Sequence, residues 1–153
     1  MRIDKIYIEK FKNLIEFEID LAENFMETVL LGQNATGKSN FIEALVLIFK
    51  YLDLEGMPNF SYKIEYFCRG HKIKVECDAK RTFYVDEKKI TIKDFYARKN
   101  EYLPKYVFTY YSGVSNRLEE HFNDHQRKFY EKIIQPNVGT QEIEDLRKLF
   151  YVR

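Results

Sequence analysis

Eight consecutive residues, Gly32-Gln33-Asn34-Ala35-Thr36-Gly37-Lys38-Ser39, fit the pattern G-x-x-x-x-G-K-[ST], which cradles phosphate. Gly32 and Gly37 permit backbone angles and close approach that a Cβ would forbid. Between them the loop's N–H groups can converge on phosphate oxygens as an anion nest. A helix that starts at Lys38 would add unpaired N–H groups and the positive end of its dipole. Lys38 then serves the β- and γ-phosphates as a point charge, and the Ser39 hydroxyl serves Mg²⁺. The expected ligands are therefore ATP and Mg²⁺. The bland alternative is a glycine turn with a surface lysine. The flanks argue against it: Thr28-Val29-Leu30-Leu31 is short, apolar and β-prone, and Phe41 to Phe49 is a helix-compatible run.

Other groupings carry weaker chemistry. His121 and His125 are four apart on an expected helix, a spacing that can hold Zn²⁺, but no third ligand is evident and a helix face is the better reading. The aromatics of Tyr106 to Tyr111 could stack bases, yet they alternate as a strand, and core packing is favoured. Cys68 and Cys77 form no CxxC and read as two reduced thiols. Net charge is +1, unevenly spread: residues 56–105 hold 12 basic and 7 acidic side chains. A nucleic-acid face there would use Arg69, Lys72, Lys74, Lys80 and Arg81, although a solvated strand surface is the favoured reading of the charge.

The elements that must position the loop follow from periodicity. Ile3–Ile8 and the alternating Leu14–Asp20 read as strands around a Lys12-Asn13 turn, and Met26–Leu31 as a third, centrally buried strand. The helix from Lys38 to about Tyr51 is apolar nearly all round and belongs inside a fold. After the break at Gly56-Met57-Pro58-Asn59, closely spaced runs at Tyr62–Cys68, Lys72–Cys77, Thr82–Val85 and Lys89–Ile92 suggest an antiparallel meander. Tyr106–Tyr111 is a further strand. Ser115–Ile134 is an amphipathic helix with Ser115 as N-cap, and Ile143, Leu146, Leu149 and Phe150 mark a final helix. With 153 residues and 45% apolar side chains, one domain with a real core is expected. No apolar run approaches the roughly 20 residues of a membrane helix, so the expected location is the cytoplasm, with no membrane partner.

The order strand, Phe11-Lys12-Asn13, strand, Gly32 to Ser39 followed by Asn40, helix resembles the N-terminal lobe of ABC-type ATPase heads of the SMC and RecF class. It is especially similar to prokaryotic AAA-family ATPases associated with restriction and phage-defence systems, and Tyr110 to Leu118 also looks like that subgroup. The resemblance implies an α/β (α+β) P-loop NTPase fold: a mixed sheet around the P-loop helix, an antiparallel meander and C-terminal helices. The sections run 1–55 for the P-loop core, 56–105 for the β section, and 106–153 for a strand plus helices. It also implies that Lys12 and Asn13 approach the nucleotide alongside Gly32, Gln33, Asn34, Ala35, Thr36, Gly37, Lys38, Ser39 and Asn40. Ala35 departs from the class, which usually carries glycine there.

Larger departures are what the chain lacks. No run of four apolar residues ends in Asp-Glu, the Walker B pair that would hold Mg²⁺ and polarise water, and no L-S-x-G signature occurs. Neither Gln126 nor Gln141 has the setting of a Q-loop glutamine. No catalytic residue is therefore assigned within these residues. The chain is expected to be the N-terminal part of a longer protein, one that hydrolyses ATP as a head-to-head dimer in DNA-related or defence work with DNA or a nuclease as partner. Alone it should be inactive or nearly so. Two alternatives stand beside this reading. A small P-loop kinase or GTPase would need βαβ repeats and a later acidic metal ligand. A non-catalytic interaction module would keep the loop only for folding.

Overall fold

A computed structural model describes residues 1–21, 24–110, 121–123, 127, 130–131, 134 and the backbone of 148–152. Strands β1 (Arg2–Phe11) and β2 (Leu14–Asp20) form a hairpin, and helix α1 (Lys38–Asp53) follows the glycine loop. Then come β3 (Tyr62–Cys68), β4 (His71–Cys77), β5 (Arg81–Val85), β6 (Lys88–Ile90), two short helices α2 (Ile92–Ala97) and α3 (Lys99–Tyr102), and β7 (Tyr106–Tyr110). Strand β8 (Lys148–Val152) pairs with β7 in parallel.

The hairpin and the meander make one sheet. Its six strands run in the order β2-β1-β3-β4-β5-β6, and every pairing is antiparallel. Alternation sets its two faces. Ile6, Ile8, Tyr62, Ile64, Tyr66, Ile73, Val75, Phe83 and Val85 point to one side and are buried with Phe41, Ala44, Ile48 and Leu52 of α1. The expectation of a helix buried nearly all round is met: Val46, Leu47, Phe49 and Lys50 are buried too. Helix α2 closes the far end, where Phe95 stacks on Phe83 with centroids 3.8 Å apart.

The opposite face is polar and largely self-paired. Lys5 meets Glu18 at 2.6 Å, and Lys74 meets Glu76 at 3.0 Å and Glu65 at 3.9 Å. Hydrogen bonds to those carboxylates hold the ammonium groups of Lys5 and Lys74 above the ordinary lysine range. The β section's excess of cations is thus partly spent within the sheet. Arg81 is not on this surface at all. It is buried, donating to Tyr96 Oη at 2.5 Å and to the carbonyls of Gly56 and Tyr51, where it ties the end of α1 to β5 and α2.

Two expectations are corrected. Met26–Leu31 forms no strand; residues 27–33 are irregular. Phe25, Met26, Val29 and Leu31 are exposed, and only Leu30 packs on the core. A strand needs a ladder partner, and β1 already has β2 on one edge and β3 on the other. Among the described residues no strand runs beside this segment. The second correction is Lys148–Val152, which is a strand where the end of a helix was expected. Leu149-Phe150-Tyr151-Val152 is an apolar, β-prone run that gains a full ladder against β7.

Residues 121–123, 127 and 130–131 are helical, as the periodicity predicts. Ser115, His125, Gln126, Gln141 and the stretch 111–118 lie outside the described residues. Helix α2 is unforeseen although its signal is present: Thr91 accepts a bond from Asp94 N at 3.1 Å, the S/T-x-x-[DE] cap pattern. Cys68 and Cys77 are buried and unbridged, as expected. Among the described residues no helix is long and apolar enough to cross a membrane.

Candidate functional site

The glycine loop closes on the start of α1. Gly37 is its N-cap, at φ 102° and ψ 3°, a left-handed conformation that glycine adopts without strain. A Cβ there would stand 2.9 Å from Leu14 Cδ2 and 3.1 Å from Asn13 Oδ1. The left-handed angle therefore favours glycine, and a Cβ would also press on side chains of the β1–β2 hairpin. Gly37 O accepts the first helical bond, from Phe41 N at 2.8 Å. The first turn of α1 carries no acidic residue, so the positive end of the helix dipole is left for an anion.

Residues 32–36 are exposed, and Lys38, Ser39 and Asn40 are half-buried. Lys38 Nζ donates to Gly32 O at 2.5 Å and to Gln33 O at 2.6 Å. The ammonium thus folds back over the concave side of its own loop. Incoming phosphate oxygens would compete with these two carbonyls for the same three N–H donors. Thr36 Oγ1 donates to Gln33 O at 2.9 Å and tightens the turn. Ala35 sits at φ 67°, which costs a residue with a Cβ on the order of 1 kcal/mol. This is where the sequence departs from the glycine that the resemblance leads one to expect.

The β1–β2 turn is clamped to the loop. Asn13 Nδ2 donates to Ala35 O at 3.1 Å, and Asn40 Nδ2 donates to Asn13 Oδ1 at 2.5 Å. Lys12, at φ 54°, donates to Glu43 Oε1 at 2.5 Å. His121 Nε2 lies 3.1 Å from the same oxygen. Asn13 is therefore tied to the loop at Ala35 and to α1 at Asn40, and Lys12 is tied to α1 at Glu43. Sequence reasoning missed Glu43 and its link to His121. The signal was an acidic residue inside the apolar run Phe41-Ile42-Glu43-Ala44-Leu45, where a lone carboxylate needs a partner.

One protein oxygen is enough for Mg²⁺, which keeps several waters and takes its other ligands from phosphate. The Ser39 hydroxyl in the first turn of α1 fits that demand. Among the described residues, which do not include His125, no group of three His, Cys, Asp or Glu side chains could hold a metal. Tyr106, Phe108 and Tyr110 are exposed along one face of β7, so core packing does not describe their surroundings among the described residues.

Comparison with known proteins gives three findings. The model of the family described as AAA ATPase domain matches residues 1–152. The DNA replication and repair protein RecF of Synechocystis sp. (strain ATCC 27184 / PCC 6803 / Kazusa) is 40% identical over 48 residues, 31% of this chain and 12% of that protein. A solved structure of the recombination mediator protein RecF-ATP in the RecFOR pathway matches 87% of this chain and 42% of its own, at 18% identity and a TM-score of 0.39. The chain thus spans less than half the length of either relative.

Proposed function

We propose that this chain, which belongs to the AAA ATPase domain family, is the Mg·ATP-binding lobe of an SMC- or RecF-like ATPase. The observation that carries the reading is the loop itself: Gly32 to Ser39 closes on an acid-free helix start with Gly37 as a left-handed N-cap. In this reading Lys38 leaves the Gly32 and Gln33 carbonyls for the β- and γ-phosphates, and the N–H groups from Gln33 to Asn40 line the phosphate nest. Ser39 holds Mg²⁺, and Lys12 and Asn13 flank the nucleotide from the β1–β2 turn. Magnesium would supply charge neutralisation of the bound phosphates.

Hydrolysis belongs to a longer protein, in which a C-terminal half brings Walker B and signature residues and two heads close around ATP. A DNA-related or phage-defence role, with DNA or a nuclease as partner in the cytoplasm, goes with the reading. Its support is the sequence similarity to a DNA replication and repair protein.

Titration of Mg·ATP into the wild-type chain and Lys38→Ala is the test. Loss of charged hydrogen bonds predicts roughly a ten- to hundredfold weaker affinity in the variant with an unchanged melting temperature. Full affinity in Lys38→Ala sinks the proposal. Steady-state turnover of the isolated chain near about 1 per second, the low end for enzymes, contradicts the assignment of hydrolysis to the longer protein.

A further inference from the structure

Glu43 is 3% exposed on α1, and two donors from distant parts of the chain converge on its Oε1. Lys12 comes from the β1–β2 turn and His121 from the helical residues 121–123. A buried carboxylate stripped of partners is strongly destabilising, so this convergence supports the fold. Its position matters more. Glu43 lies four residues after Ser39 and three after Asn40, so all three share one face of α1. Asn40 reaches the turn through Asn13, and Glu43 reaches it through Lys12. The adjacent residues Lys12 and Asn13 are therefore held by adjacent turns of the helix whose N-terminus receives the phosphates.

We propose that Glu43 is a positioning residue for nucleotide binding: its buried carboxylate anchors the Lys12 ammonium at the turn that Asn13 bonds to the phosphate loop, ready for a nucleoside triphosphate. Lys12 suits that role because its side chain remains 42% exposed while its charged end is anchored. A free lysine gives up rotamer entropy when a ligand immobilises it. Anchoring by Glu43 removes most of that loss before the ligand arrives. The inference rests on the reading of the loop as an ATP site.

The experiment titrates Mg·ATP into wild type, Lys12→Met, Glu43→Gln and the double variant, each with a thermal melt. Each single change is expected to weaken affinity by about fivefold, and the double variant to be no weaker than Lys12→Met, because interacting residues are non-additive. Lys12→Arg should restore most of the affinity. Losses that add in the double variant, or a Glu43→Gln protein that melts lower but binds as wild type, overturn the proposal. Should Glu43→Gln not fold, Glu43→Asp keeps the charge and shortens the reach, and wild-type affinity there overturns it equally. Binding abolished by Lys38→Ala but untouched by the Glu43 changes defeats this inference alone. A wild-type chain that does not bind Mg·ATP defeats the reading beneath it as well.

Discussion

The six-stranded sheet with α1 and the segment from Asn24 to Gly37 are built on opposite terms. In the sheet, apolar side chains meet apolar side chains, and much of the outer-face charge is paired in place. In the segment, Val29 and Leu31 are 78% and 90% exposed, and a few side-chain bonds hold the loop to its base. The difference teaches where stability and function separate. The sheet and α1 supply a rigid floor. The loop is free to rearrange around a ligand because little burial is spent on it.

That separation can be broken most directly from the sheet side. Phe83→Ala removes a ring stacked on Phe95 and should cost about 3–5 kcal/mol in chemical denaturation. A loss under about 1 kcal/mol would show that β5 and α2 are not part of one cooperative core. The loop should respond little in global stability. Ala35→Gly relieves a positive φ already present without ligand, so Mg·ATP affinity should change by less than about twofold, read by titration calorimetry. Weaker binding would mean that the bound loop leaves the left-handed region.

Leu31→Ser should shift stability by less than about 0.5 kcal/mol, since the side chain buries almost nothing. A larger loss would put Leu31 in a packed environment and erase the contrast. The smallest effect belongs to Asp86 at the β5–β6 turn. His71 Nδ1 at 2.8 Å and Lys72 N at 2.9 Å lower its carboxyl below the ordinary range. A lowered folded-state value adds stability above the unfolded carboxyl pKa, near about 4, and that stability is lost as pH falls through the folded value. Asp86→Asn should therefore flatten the acid side of a stability–pH curve and leave the alkaline side unchanged.

Local chemistry was readable directly. The turn at Lys12-Asn13, the alternating strands and the apolar helix after Ser39 each follow from residues within a few positions of one another. The glycine loop was legible because Gly37 must take a conformation that only glycine adopts freely. Met26–Leu31 misled because β-prone composition reports a preference for a ladder and carries no information on whether a partner strand is adjacent. Leu149 and Phe150 misled in the same way, since their spacing suits a helix until β7 offers a parallel partner.

The sequence by itself determined the G-x-x-x-x-G-K-S pattern, the helix that follows it, and the strand–turn–strand before it. Only the tertiary structure decided that one antiparallel sheet joins residues 2–20 to residues 62–90. The same holds for Arg81, which stands in the core rather than on a basic face, and for Glu43, which gathers Lys12 and His121 beside the loop. The physical reason is the range of the forces involved. Backbone conformation and periodicity are set by neighbours in the chain. Pairing of strands and of buried charges is set by neighbours in space, here up to 78 positions apart.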